Sequence, residues 1–111
     1  MAQTNNRYFK QGDIVLNGEH SVWGSRRFTI ERFFGVVNNP MCLAYFTGRE
    51  KCWKTHSNLC VNDLILVGAA SRPMARVNQS ILLKLIKAGN IEARREFIMR
   101  SNCKKYKLKL N

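Results

Sequence analysis

Residues 62–73, Asn62-Asp63-Leu64-Ile65-Leu66-Val67-Gly68-Ala69-Ala70-Ser71-Arg72-Pro73, divide this chain into two grammars. Upstream of them, apolar runs are short and bounded by turn residues, the pattern of strands. Downstream, apolar residues recur at the three- and four-residue spacing of an amphipathic helix. Pro73 disfavours an α conformation at Arg72, so the helical part begins after it. The expected fold class is therefore α+β, with a β unit at 1–70 and a helical extension at 71–111 packed on it.

Working back toward the N-terminus, Gly12-Asp13 opens the apolar run Ile14-Val15-Leu16, closed by Asn17-Gly18. Residues 17–27 read as a loop. Residues 27–37 are rich in Phe, Ile, Thr and Val and read as a second strand, with Phe28, Ile30 and Phe33 on one face. The doublet Phe33-Phe34 breaks alternation there and suggests a bulge. Asn38-Asn39-Pro40 signals a turn. Residues 41–47 form a third strand, with Cys42, Ala44 and Phe46 opposite Leu43 and Tyr45. Residues 51–55 form a fourth, His56-Ser57-Asn58 a turn, and 59–61 with 64–67 the last apolar stretches.

Working forward, Asn78 or Ser80 caps a helix whose apolar residues are Ile81, Leu82, Leu85 and Ile86. Gly89 suits the position just past its end. Asn90 caps a second helix with Glu92 in its first turn, Arg100 in its last, and an apolar side of Ile91, Phe97 and Ile98. One kinked helix through Gly89 is the alternative to a helical hairpin, at a propensity cost of about 1 kcal/mol. Lys104-Lys105-Tyr106-Lys107-Leu108-Lys109-Leu110 alternates basic and apolar residues, as a last strand or a basic arm would.

The run Gly12-Asp13-Ile14-Val15, then Phe28-Thr29-Ile30, Ala44-Tyr45-Phe46 and Asn62-Asp63-Leu64-Ile65-Leu66-Val67 resembles an SH3-like small antiparallel β-barrel. KOW and Tudor domains and several small bacterial and phage proteins share that shape. The resemblance covers about residues 10–68 and implies a closed barrel. It implies no particular activity, because this barrel hosts many.

Charge is distributed as unevenly as structure. Residues 71–111 carry eleven Lys and Arg against Glu92 and Glu96, or +9, while the first 70 carry +3 of the +12 total. Such a balance selects polyanionic partners. Arg72, Arg76, Lys84, Lys87, Arg94, Arg95, Arg100, Lys104, Lys105 and Lys107 are the candidate phosphate contacts, since Lys and Arg neutralise phosphates and release counterions. Glu92 and Glu96 offer local partners for part of that charge at helical spacing. Trp23, followed by Arg26 and Arg27, is a candidate stacking platform in a loop. Trp53, between Lys51 and Lys54, reads more readily as core.

Other chemistries find little support. Cys42, Cys52, His56 and Cys60 are the residues a zinc site would use, but no CxxC knuckle is present. We expect no cofactor. The sequence offers no GxSxG, P-loop or HExxH motif, so an enzyme is not expected. No apolar run approaches the roughly 18 residues of a membrane span. The N-terminus shows neither an apolar h-region nor a cleavage site, so the expectation is a cytoplasmic protein with reduced thiols. The functional expectation is a non-enzymatic module that binds DNA or RNA with low sequence specificity. The alternative is an adaptor for an acidic protein surface, such as a phage or prophage regulator of a host machine.

Overall fold

Ile14-Val15-Leu16 becomes a strand because it is flanked on both sides by longer apolar strands that bury it. In a computed structural model, which describes residues 8–18, 26–48 and 56–109, β1 (Ile14–Asn17) pairs antiparallel with both β2 (Arg27–Val36) and β5 (Leu64–Gly68). β3 (Asn39–Phe46) pairs with β2, and β4 (His56–Cys60) with β3, giving the sheet order β4-β3-β2-β1-β5. A single 3-10 turn, Val61–Asp63, links β4 to β5. This arrangement is compatible with an SH3-like fold in general shape. Among the described residues, however, β4 and β5 end the sheet without pairing with each other, so it is open where a closed barrel was expected.

Alternation places Cys42 and Ala44 of β3 wholly inside and leaves Leu43 and Tyr45 half-buried, as the sequence suggests. The bulge lies elsewhere than expected. Register shifts between Ile30 and Arg32, making Glu31 the extra residue rather than the Phe doublet. Its carboxylate meets His56 Nε2 at 2.7 Å; His56, Ser57 and Asn58 pair with Tyr45, Ala44 and Leu43 and so form a strand where a turn was expected. The expected fourth strand at 51–55 lies outside the described residues.

The β2–β3 hairpin turns one residue early, at Val37-Asn38, so Asn39 and Pro40 enter β3. Pro40 is tolerated because the β4 ladder starts only at Met41, leaving Pro40 where β3 has one neighbour. Gly35, opposite Pro40, has φ +94, and a Cβ there would lie 2.5 Å from the Asn39 carbonyl oxygen. Gly35→Ala should therefore cost about 2–4 kcal/mol of stability, from backbone strain plus displacement of the turn. A urea melt reads this directly, and an unchanged midpoint would show that the hairpin relaxes freely.

Downstream, Asn78 caps α1 (Gln79–Lys87) by accepting from the Ile81 N–H at 3.1 Å, and Asn90 caps α2 (Ile91–Lys105) through the Ala93 N–H at 2.9 Å. Gly89, with φ +87, ends α1 as the Gly89 N–H bonds Ile86 O and the Asn90 N–H bonds Leu85 O. Two helices thus replace any single kinked one. α2 runs past Arg100 by more than a turn. It ends in the same kind of reversal, with Lys107 at φ +57 and the Leu108 N–H on Cys103 O at 2.8 Å. Through Lys109 the tail is therefore neither a strand nor a loose arm. It folds back and packs Leu108 on the core.

The face α2 buries differs from the one its apolar residues suggest. Ala93, Arg95, Glu96, Met99 and Cys103 are buried, whereas Ile91 is 39% exposed and Phe97 and Ile98 are half-buried. Met99 and Cys103 join Val15, Phe28, Ile30 and Leu66 in one core, in which each buried Val, Leu, Ile, Phe or Met side chain contributes on the order of 1.5–3 kcal/mol. α2 also covers the outer edge of β5. The Asn102 amide donates to Leu66 O at 2.8 Å and the Cys103 thiol to Val67 O at 3.2 Å, which blocks pairing with another strand.

Candidate nucleic-acid interface

Two buried carboxylates decide which cations remain available. Asp13, fully buried ahead of β1, accepts both Arg95 Nη1 and Nη2 at 2.8 Å. It also accepts the backbone N–H groups of Lys10 (2.8 Å) and Ala70 (2.9 Å). Arg95 Nη1 further donates to the Tyr8 carbonyl, and Arg95 Nε lies 3.3 Å from Glu92. One ion pair thus ties the N-terminal segment, the exit of β5 and α2 together. Arg95, 1% exposed, is spent on this ion pair and presents almost no surface to solvent.

Glu96 is the second hub. Arg72 grips it with a fork, Nε to Oε1 at 3.1 Å and Nη2 to Oε2 at 2.7 Å, and Arg100 Nε meets Oε2 at 2.7 Å. Arg100 Nη2 also donates to the carbonyls of Met74, Ala75 and Val77, fixing the turn before α1. Burial alone would raise the Glu96 carboxyl, but the hydrogen bonds from Arg72 and Arg100 hold it below the ordinary range. Arg72 and Arg100 therefore fix the 72–77 segment onto α2.

The remaining candidates face solvent. Arg76, Lys84, Lys87, Arg94, Lys104, Lys105 and Lys107 are exposed and form no ion pair with a described residue. Lys109, which the sequence did not mark as a contact, shares that condition. Arg94, Ser101 and Lys105 fall in one line along α2, at i, i+7 and i+11. Lys84 and Lys87 lie one turn apart on α1. Both glutamates of this region are occupied, Glu92 by Lys10 at 2.8 Å and Glu96 by its two arginines. The Lys10 hydrogen bond holds the Glu92 carboxyl below its usual value.

Arg26 lies 4.6 Å over the Phe46 ring, a cation–π contact at the start of β2. Arg27 lines a cleft with Arg72 and Lys109. Trp23, Trp53 and Cys52 lie outside the described residues. Of the zinc candidates, Cys42 is pushed up to about 12 by burial and by neighbouring Cys60, so a thiolate there is costly. No group of three potential metal ligands comes together among the described residues. No described helix is long and apolar enough to cross a membrane. Compared with protein-family models, with curated proteins and with solved structures, the chain matches none.

Sequence reading missed Asp13 and Glu96 as hubs and Lys109 as a surface cation. A strong signal was present for Glu96, which has Arg100 four residues on. Asp13 carried none, because its partner lies 82 residues away.

Proposed function

We propose that this protein is a non-enzymatic nucleic-acid-binding module that meets phosphates through the exposed cations of its C-terminal helices and tail. The observation that carries this reading is the division of charge. After Arg72, Arg95 and Arg100 are committed to Glu96 and Asp13, eight exposed Lys and Arg remain between Arg76 and Lys109 with no acid among the described residues to pair them. A solvated, unpaired cation gains most from releasing a condensed counterion. An open, SH3-like sheet and a cytoplasmic location fit such a module and belong to the same proposal.

Binding should be tolerant of sequence and steep in salt. Single- and double-stranded DNA and RNA of unrelated sequence should bind at low salt. If about four to six phosphates are contacted, log Kobs should fall with log[salt] at a slope of about −3 to −5. No binding at about 50 mM salt, where such contacts are strong, would remove this reading.

A second reading has one specific support. Ile81 and Leu83, each 46% exposed, share α1 with Lys84 and Lys87. An acidic, partly apolar protein surface complements that combination. It becomes the preferred reading if oligonucleotides fail to bind.

A further inference from the structure

The cleft between β1, the exit of β5, α2 and the folded-back tail has a chemistry that its structural role does not require. Its volume is about 100 Å³, room for several waters or a group of phosphate size. Its floor is apolar, with Met99 and Leu108 among the side chains. Its rim carries Arg27, Arg72 and Lys109, from three separate parts of the chain, and no acid among the described residues lines it.

Two details show unused donor capacity. The Glu96 fork takes one N–H from Arg72 Nε and one from Nη2, leaving three of the five guanidinium donors. The Ala69 N–H, also on the cleft wall, is paired with the Met99 sulfur at 3.2 Å. A thioether is a weak acceptor, so this amide has much to gain from an anionic oxygen. Arg27 and Lys109 form no ion pair with a described residue and are exposed.

We infer that this cleft is a phosphate-group subsite, in which Arg27, Arg72, Lys109 and the Ala69 N–H bind a tetrahedral oxyanion. Three cations on three segments surround the group, and the apolar floor strengthens their attraction by excluding water. The phosphate comes either from a nucleic-acid strand or from free phosphate in solution. Only the first source rests on the nucleic-acid reading. The back-folded tail is what brings Lys109 to the rim, which gives the Lys107 reversal a functional consequence.

The test is an amide NMR titration of the full chain with inorganic phosphate, using chloride at matched ionic strength as reference. The Ala69 amide should shift saturably with phosphate in the wild type. In Arg27→Gln/Lys109→Gln the apparent affinity should fall at least about tenfold, while the rest of the spectrum shows the fold intact. An Ala69 amide that does not respond to phosphate overturns the proposal, as does an equal response in the variant. A second arm uses a single-stranded oligonucleotide. A shift of Ala69 there assigns the phosphate to the strand. Oligonucleotide binding with Ala69 unmoved by either ligand removes the subsite but leaves the nucleic-acid reading standing. A phosphate response without oligonucleotide binding keeps the subsite and removes that reading.

Discussion

Arg95→Ala should destabilise the protein by about 3–5 kcal/mol, the usual consequence of breaking a buried ion pair and leaving one charge unpaired. Asp13 is fully buried and Arg95 is 1% exposed, so neither group can recover hydration by a small movement. Small domains have about 5–15 kcal/mol in total, and this variant would lose a large share of that. Asp13→Ala should cost at least as much, because it also strands the backbone N–H groups of Lys10 and Ala70. Arg95→Lys should not rescue, since an ammonium cannot reproduce the two-pronged contact at 2.8 Å on both oxygens. Asp13→Asn combined with Arg95→Met should cost clearly less than the two single changes added together. Urea melts of these variants check the set, and strict additivity would show that the pair is not coupled.

Glu96→Gln should cost about 2–3 kcal/mol at pH 7, less than the first pair because Arg72 and Arg100 side chains are 18% and 20% exposed and can rehydrate. The same residue makes stability depend on acid. Its folded pKa lies below its unfolded value of about 4.3, so its contribution is complete above that value. It is lost as pH falls through the lower, folded pKa. Wild-type stability should therefore decline below about pH 4.3, and Glu96→Gln should flatten part of that decline. Glu92, held down by its hydrogen bond from Lys10, acts with the same sign but from a more exposed position. Denaturant melts between about pH 7 and pH 2 measure both effects, and parallel curves for wild type and variant would contradict the role given to Glu96.

What was legible in the sequence was local. Strand alternation in Cys42-Leu43-Ala44, the Asn78 and Asn90 caps and the Gly89 reversal each follow from a few neighbouring residues, and the structure contains them all. What was not legible depends on distant partners. Arg95 and Glu96 look like a solvated charged face until Asp13 and Arg72 arrive from elsewhere in the chain. Because they are charged, they hid the stripe formed by Ala93, Met99 and Cys103. The tail misled for a related reason. Alternation of Lys with Tyr and Leu fits a last strand or a basic arm, but a non-glycine Lys107 in the left-handed region turns Leu108 back onto the core. Of the candidate phosphate-binding residues, Arg95 is buried and Arg72 and Arg100 are braced by Glu96, whereas the lysines that the sequence marked are exposed.

The positive charge of the C-terminal region thus falls into two populations, one paired with buried acids, Arg72 among them, and one exposed and without an ion pair among the described residues, which the proposed function assigns to phosphates. The most direct check is the salt dependence of oligonucleotide affinity for the wild type and for Lys84→Gln/Lys87→Gln/Arg94→Gln, with thermal melts of each. The triple variant should stay cooperatively folded, its Tm moving by no more than about 6–12 °C, since each surface change usually stays within about ±0.5 kcal/mol and 1 kcal/mol shifts Tm by roughly 4–8 °C. Its log–log salt slope should be shallower by up to about 0.9 for each phosphate that the variant no longer neutralises. An unchanged slope in a folded triple variant would contradict the division and take those three residues out of the interface.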